Sequence, residues 1–97
     1  MKFEIILAPG AVEDLGRLPA NTRSVVRDAL EIFLRYEPAR TSRSRIKRLR
    51  GLARPQYRLR VGDVRVFYDI SGSVVEVLAI VSKARAAEWL DVAGDNQ

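Results

Sequence analysis

Tyr57 to Ile70, YRLRVGDVRVFYDI, holds two runs of strict alternation on either side of a Gly62-Asp63 step. Successive strand residues point to opposite faces, so Tyr57, Leu59 and Val61 share one face while Arg58 and Arg60 share the other. In the second run Val64, Val66, Tyr68 and Ile70 alternate with Arg65, Phe67 and Asp69. Gly-Asp between two such runs is a tight-turn signal, and the stretch predicts a β-hairpin. Strand interiors favour β-branched and aromatic residues, so three arginines here need a reason. Either they are the solvated face of a half-buried sheet, or they form a cationic platform for a polyanion.

The rest of the chain supplies partners for that hairpin. Residues 2–7, KFEIIL, predict a strand closed by Pro9-Gly10. Val12, Leu15 and Leu18 recur at helical spacing until Pro19. Asn21 or Thr22 is placed to cap a second helix, in which Val26, Ala29, Leu30, Phe33 and Leu34 form an apolar stripe and which Pro38 ends. A few residues between the two helices imply an antiparallel hairpin. After a basic linker, IKRLRG predicts a short edge strand. Beyond the hairpin, Ser71-Gly72-Ser73 marks another turn, followed by a central strand, VVEVLAIV. A short helix over roughly Lys83–Leu90 closes the order, and AGDNQ is expected to fray. The order β-α-α-β-β-β-α is that of an α+β domain, an antiparallel sheet packed on an N-terminal helical hairpin.

Ninety-seven residues fit one domain, 1–97, with no room for two cores. Cysteine and histidine are both absent, which removes disulfides, thiolate metal sites, the usual general base and the commonest metal ligand. No metal and no cofactor are expected. The absence of Cys fits a reducing cytoplasm, and no apolar run approaches the roughly 18 residues that span a bilayer.

The formal net charge is +5, and its excess is concentrated. Arg40, Arg43, Arg45, Lys47, Arg48, Arg50, Arg54, Arg58 and Arg60 follow one another with no Asp or Glu between them. Such a block repels itself unless something anionic is near, either nucleic acid or an acidic protein. Arginine dominates it, which favours bidentate phosphate recognition.

Three segments, KRLRG, YRLRVGDVRVFYDI and VLAIVSKARAAEW, together with the element order, resemble the RelE/ParE superfamily of bacterial toxins over nearly the whole chain. The resemblance implies the toxin of a two-component toxin–antitoxin pair, held in a hetero-oligomer by an antitoxin whose C-terminal segment wraps it. In the RelE branch such a toxin cuts mRNA in the ribosomal A site. In the ParE branch it inhibits DNA gyrase and is no nuclease. By position, Arg58, Arg60 and Arg65 fall on the basic strand residues of RelE-type toxins, and Lys83 and Arg85 in the basic pair near the end. The family's tail tyrosine aligns with Leu90, beside Trp89.

These correspondences imply a RelE-like, ribosome-dependent mRNA endonuclease that inhibits translation in the cytoplasm. Arg58, Arg60, Arg65 and Arg85 would stabilise the charge that develops at phosphorus. Arg45, Lys47, Arg48, Arg50, Arg54 and Lys83 would bind RNA. A general base is missing from the expected place, because the tail lacks Tyr and alternation turns Tyr57 and Tyr68 toward the core. A ParE-like gyrase inhibitor and a non-toxic antitoxin-binding homologue are the alternatives. Some readings stay double at this point. Arg65 fits an ion pair with Asp69 or Glu76 as well as a substrate contact, and the 43–50 run fits a solvated linker as well as a phosphate surface. Trp89 fits a core anchor or a base-stacking platform.

Overall fold

The computed structural model describes residues 1–96. Strand β1, Glu4–Leu7, leads into helix α1, Pro9–Arg17, and helix α2, Ala20–Leu34. Strands β2 (Ile46–Arg48), β3 (Leu52–Arg54), β4 (Tyr57–Val61), β5 (Val64–Ser71) and β6 (Val74–Ser82) follow. A 3₁₀ turn at Lys83–Arg85, helix α3 at Ala86–Ala93 and strand β7 at Asp95–Asn96 complete the order. The main sheet runs β1-β6-β5-β4-β2, and β3 pairs with β7 in a separate two-stranded ribbon. Only β1 against β6 is parallel in the main sheet. The α+β architecture read from the sequence is therefore present.

Both hairpin turns place glycine first of their two residues, Gly62 at φ 57° and Gly72 at φ 58°, while the residue after each keeps a negative φ. That is the pattern of a type II′ turn, whose backbone twist matches the strands it joins. It fixes the register Val61↔Val64 and Ser71↔Val74, and register fixes which side chains share a face.

The inner face of the sheet buries Leu59, Val66, Tyr68, Val75 and Val77 against Ala11 and Leu15 of α1 and Val26, Leu30 and Leu34 of α2. The predicted stripe on α2 is the one that turns inward, with Phe33 half-buried at its margin. Arg23 ties the helical hairpin, donating from Nε to Leu15 O (3.2 Å) and from Nη2 to Leu18 O (3.0 Å). It thereby satisfies carbonyls left open at the end of α1. Strand β1 stops at Leu7, so the far half of β6, paired with β5 on one edge, has no strand on the other among the described residues; there the Asp14 carboxylate of α1 accepts the Ile80 N–H at 2.9 Å.

Several boundaries differ from expectation. Pro9 opens α1 rather than merely ending β1, as proline's fixed φ allows in a first helical turn. Helix α2 starts at Ala20 behind Pro19, so Asn21 and Thr22 lie inside it and neither caps it. It stops at Leu34, before Pro38. IKRLRG is not one strand: the chain turns after Arg48, and β3 leaves the sheet to meet β7. Asp95 of AGDNQ is paired rather than frayed; Gln97 lies outside the described residues. Among the described residues no helix is long and apolar enough to cross a membrane.

Candidate functional site

The register places four cations on one face. Lys47 stands opposite Arg58, Arg58 opposite Phe67, and Arg60 opposite Arg65. Directly paired residues of neighbouring strands project to the same side. All four therefore share the sheet face that points away from the helical hairpin, whose own side takes Tyr57, Leu59 and Val61.

Arg65 is 6% exposed, unusual for a guanidinium. Its Nη1 donates to Gly62 O at 2.8 Å and Val64 O at 3.1 Å, so the hairpin turn holds it. No carboxylate pairs with it among the described residues. Burial, then the neighbouring Arg58 and Arg60, push its pKa down, although an arginine so placed stays protonated. Arg58 is half-buried, and its Nε is sealed from solvent with no hydrogen-bond partner. A buried donor left unpaired costs about 1–3 kcal/mol, more when charged. The cluster is thus electrostatically incomplete, and an anion would complete it.

The nearby carboxylates are committed elsewhere. Asp69 accepts from Arg54 Nε and from the Gln56 N–H, both at 2.7 Å, and Glu76 accepts from Arg54 Nη2 at 3.1 Å. The pairing of Arg65 with Asp69 or Glu76, left open by the sequence, is therefore not formed. Arg54, expected to bind nucleic acid, is instead the bridge that neutralises the acidic end of this face. Its charge is consumed because Asp69, with a 12% exposed side chain, needs a cation.

The other basic residues divide by side. Arg45 lays its guanidinium 4.7 Å over the Phe33 ring and donates from Nη1 to Arg60 O at 2.9 Å. Arg48 lies 4.9 Å over the Tyr57 ring. Both sit on the helix side of β2, away from the four-cation face, held by cation–π contact. Arg50 is exposed in the turn before β3. Lys83 is exposed and donates its backbone N–H to Asp63 O at 2.7 Å, which brings it beside the hairpin turn that holds Arg65. Arg85 lines a cleft between α1 and α3, with Asp14, Arg17 and Trp89, that includes none of the three sheet arginines.

Trp89 stacks on Phe67, ring centroids 4.8 Å apart and planes 11° from parallel. It roofs an aromatic that is otherwise on the outer face and is fully buried. Tyr57 and Tyr68 stack on each other at 5.4 Å on the opposite side of the sheet from the cations. The Tyr68 hydroxyl donates to Pro38 O at 2.6 Å, and burial raises its pKa far above that of a free phenol. Neither phenol is placed to take a proton on the cationic face. Sequence reasoning passed over two exposed apolar residues of α2, Val25 and Ile32, and Tyr36 just beyond its end. They were legible as hydrophobic positions lying off the buried stripe.

The family described as the ParE toxin of type II toxin-antitoxin system, parDE, matches residues 5–87 of the chain. No curated protein sequence matches it. Among solved structures, the fold is similar to that of a chain in the RelBE2 toxin-antitoxin complex of Mycobacterium tuberculosis. The TM-score is 0.68 at 24% identity, over 84% of this chain and 99% of that one. A chain of the archaeal RelE-RelB complex of Pyrococcus horikoshii gives 0.65 at 28% identity, over 89% and 100%. One of the RelB-RelE antitoxin-toxin complex of Methanococcus jannaschii gives 0.61 at 17% identity, over 87% and 96%.

Proposed function

The chain belongs to the family of ParE toxins of type II toxin–antitoxin systems, and from that premise we propose that it arrests translation by binding mRNA in the ribosome and cleaving it. One observation carries this reading: Lys47, Arg58, Arg60 and Arg65 share one sheet face, and among the described residues no carboxylate pairs with any of them. Phosphate contacts from Arg and Lys position nucleic acid without reading its sequence, and the ribosome supplies the geometry that a shallow face lacks. The similarity to a RelE-type toxin at 28% identity supports the same branch.

In the reaction the RNA 2′-oxygen attacks the adjacent phosphorus and the bond to the 5′-oxygen breaks. The 2′-hydroxyl proton passes to water or to the ribosome, and the leaving 5′-oxygen takes one up. Arg58, Arg60 and Arg65 contribute by meeting the extra negative charge on the phosphoryl oxygens. With the carboxylates of this face, among the described residues, committed to Arg54 and Gln56, the rate forgoes about 10²–10⁴ that general-base catalysis supplies. Primer extension on mRNA from induced cells tests the reading. New 5′ ends that appear only in translated messages are expected, and their absence overturns it.

A second reading, inhibition of DNA gyrase with no nuclease chemistry, draws on the two tyrosines facing away from the cations. It requires that micromolar protein block supercoiling by purified gyrase while mRNA ends stay unchanged.

A further inference from the structure

Helix α3 turns one face toward a cleft instead of a core. Arg85 at its N-cap, Glu88 and Val92 recur at spacings of three and four, so they share one side of the helix. Val92 is 85% exposed, the most exposed large apolar side chain among the described residues. Across the cleft, of ≈ 500 Å³, stand Asp14 and Arg17 of α1, and Leu18 and Val81 also line it.

The cleft differs from the rest of the surface in its charge. Two carboxylates, Asp14 and Glu88, balance two guanidinium groups, Arg17 and Arg85, in a chain of net charge +5. None of the basic residues from Arg40 to Arg60 lines it, so two copies can meet here without the repulsion those residues impose elsewhere. The charges are loosely engaged within the chain. Arg17, its side chain 75% exposed, stands 3.6 Å from Glu13 and 3.9 Å from Asp14, exposed pairs of the kind that add little stability. Arg85 and Glu88 have no ion-pair partner among the described residues.

The chemistry of the cleft narrows what can occupy it. Strand addition to β6 is blocked at Ile80, whose N–H the Asp14 carboxylate already takes. An occupant must therefore bind through side chains, as a helix laid in a groove does. A ligand of one charge sign would leave half of these groups unanswered. A second copy answers all of them, because a two-fold interface sets one patch against itself.

We propose that the chain forms a two-fold dimer in which α3 of each copy lies in the cleft of the other. Val92 seats on the partner's Leu18 and the partner's Val81. Glu88 pairs with the partner's Arg17, and symmetry repeats the contact. Lys47, Arg58, Arg60 and Arg65 take no part, since none lines the cleft, so the dimer stands independently of the toxin's target.

Sedimentation equilibrium of the purified full chain reads the oligomeric state. Wild type should be dimeric at about 100 μM and dissociate on dilution. Arg17→Glu and Glu88→Arg should each weaken the dimer by about tenfold or more, because each sets like charges together at both symmetric contacts. An equimolar mixture of the two variants should regain the dimer mass, since opposite charges then meet at both contacts. Val92→Asp should also give monomer, and a side chain so exposed leaves the packing of the single copy intact. Melting curves by circular dichroism confirm that each variant folds. A wild-type monomer at about 100 μM overturns the dimer and leaves the cleft to a different partner. Single variants that dimerise as wild type does, or a mixture that stays monomeric, overturn the proposed arrangement.

Discussion

Arg60 stands directly across from Arg65 in the β4–β5 ladder, two guanidinium-bearing residues paired where opposite charges are the stabilising choice. The turn carbonyl of Gly62 holds Arg65, but neither arginine finds a carboxylate among the described residues. A like-charged pair costs about 0.2–1 kcal/mol, and the fold tolerates it. Under the proposed function, a bound polyanion would relieve the same repulsion that costs stability in the free protein.

Arg60→Ala separates those two effects. It removes one member of the repelling pair from an exposed position, so the melting temperature should stay level or rise by a few degrees. Toxicity on induction should be lost. Thermal unfolding by circular dichroism and growth curves read the two halves independently, and a fully toxic variant would assign Arg60 to mere solvation.

Arg54→Ala should do the reverse. Arg54 pairs with Asp69 and Glu76 at the acidic end of the face rather than joining the four cations. The side chain of Asp69 is nearly buried, and its remaining partner after the change is the Gln56 N–H. Stranding a partly buried carboxylate should cost about 1–3 kcal/mol in urea unfolding. RNA affinity of the folded fraction, read by filter binding, should be unchanged.

Much of this was visible in the chain. The Tyr57–Ile70 alternation fixed which arginines share a face, because a period of two allows no other assignment once the turn is set at Gly62-Asp63. The α2 stripe was equally readable from its period. What stayed hidden depends on contacts between distant residues. Arg54 meets Asp69 and Glu76 across 15 and 22 positions, and Asp14 reaches the Ile80 N–H across 66. Alternation predicts an outer face for β5 but cannot tell that Trp89 covers Phe67 there. The shift at Phe67/Tyr68, which leaves Leu78 without a partner on β5, is likewise a packing outcome with no local signal.

Tyr68 makes the pH behaviour testable. Burial raises its folded-state pKa above the ordinary 10.0, so its contribution to stability is complete below that pH. Above pH 10 the unfolded chain releases the phenolic proton and the folded chain keeps it, so stability falls as pH rises. The slope approaches about 1.4 kcal/mol per pH unit for this one proton. Tyr68→Phe should abolish that component, at a cost near neutrality of about 1 kcal/mol for the lost bond to Pro38 O. Subtracting the variant's urea-derived stability from wild type between pH 8 and 11 removes the lysine background common to both. A difference that stays flat across that range would show that the phenol ionises freely in the folded state.

Trp89 decides whether the outer face is roofed or open. Its ring lies parallel on Phe67, which is fully buried although its strand position points away from the helical hairpin. If the contact is structural, Trp89→Ala uncovers Phe67 and removes the main aromatic anchor of α3, destabilising the chain by about 2–4 kcal/mol. Trp89→Phe should recover most of that loss, since it keeps a ring over Phe67. If a nucleobase stacks on Trp89 instead, RNA affinity should drop in the folded Trp89→Ala protein, with base stacking contributing about 1–3 kcal/mol. The parallel stack commits one indole face to Phe67, so the first outcome is expected: a large shift in the urea midpoint with unchanged affinity. Circular dichroism must follow the unfolding, because this is the only tryptophan in the sequence and its fluorescence disappears with it.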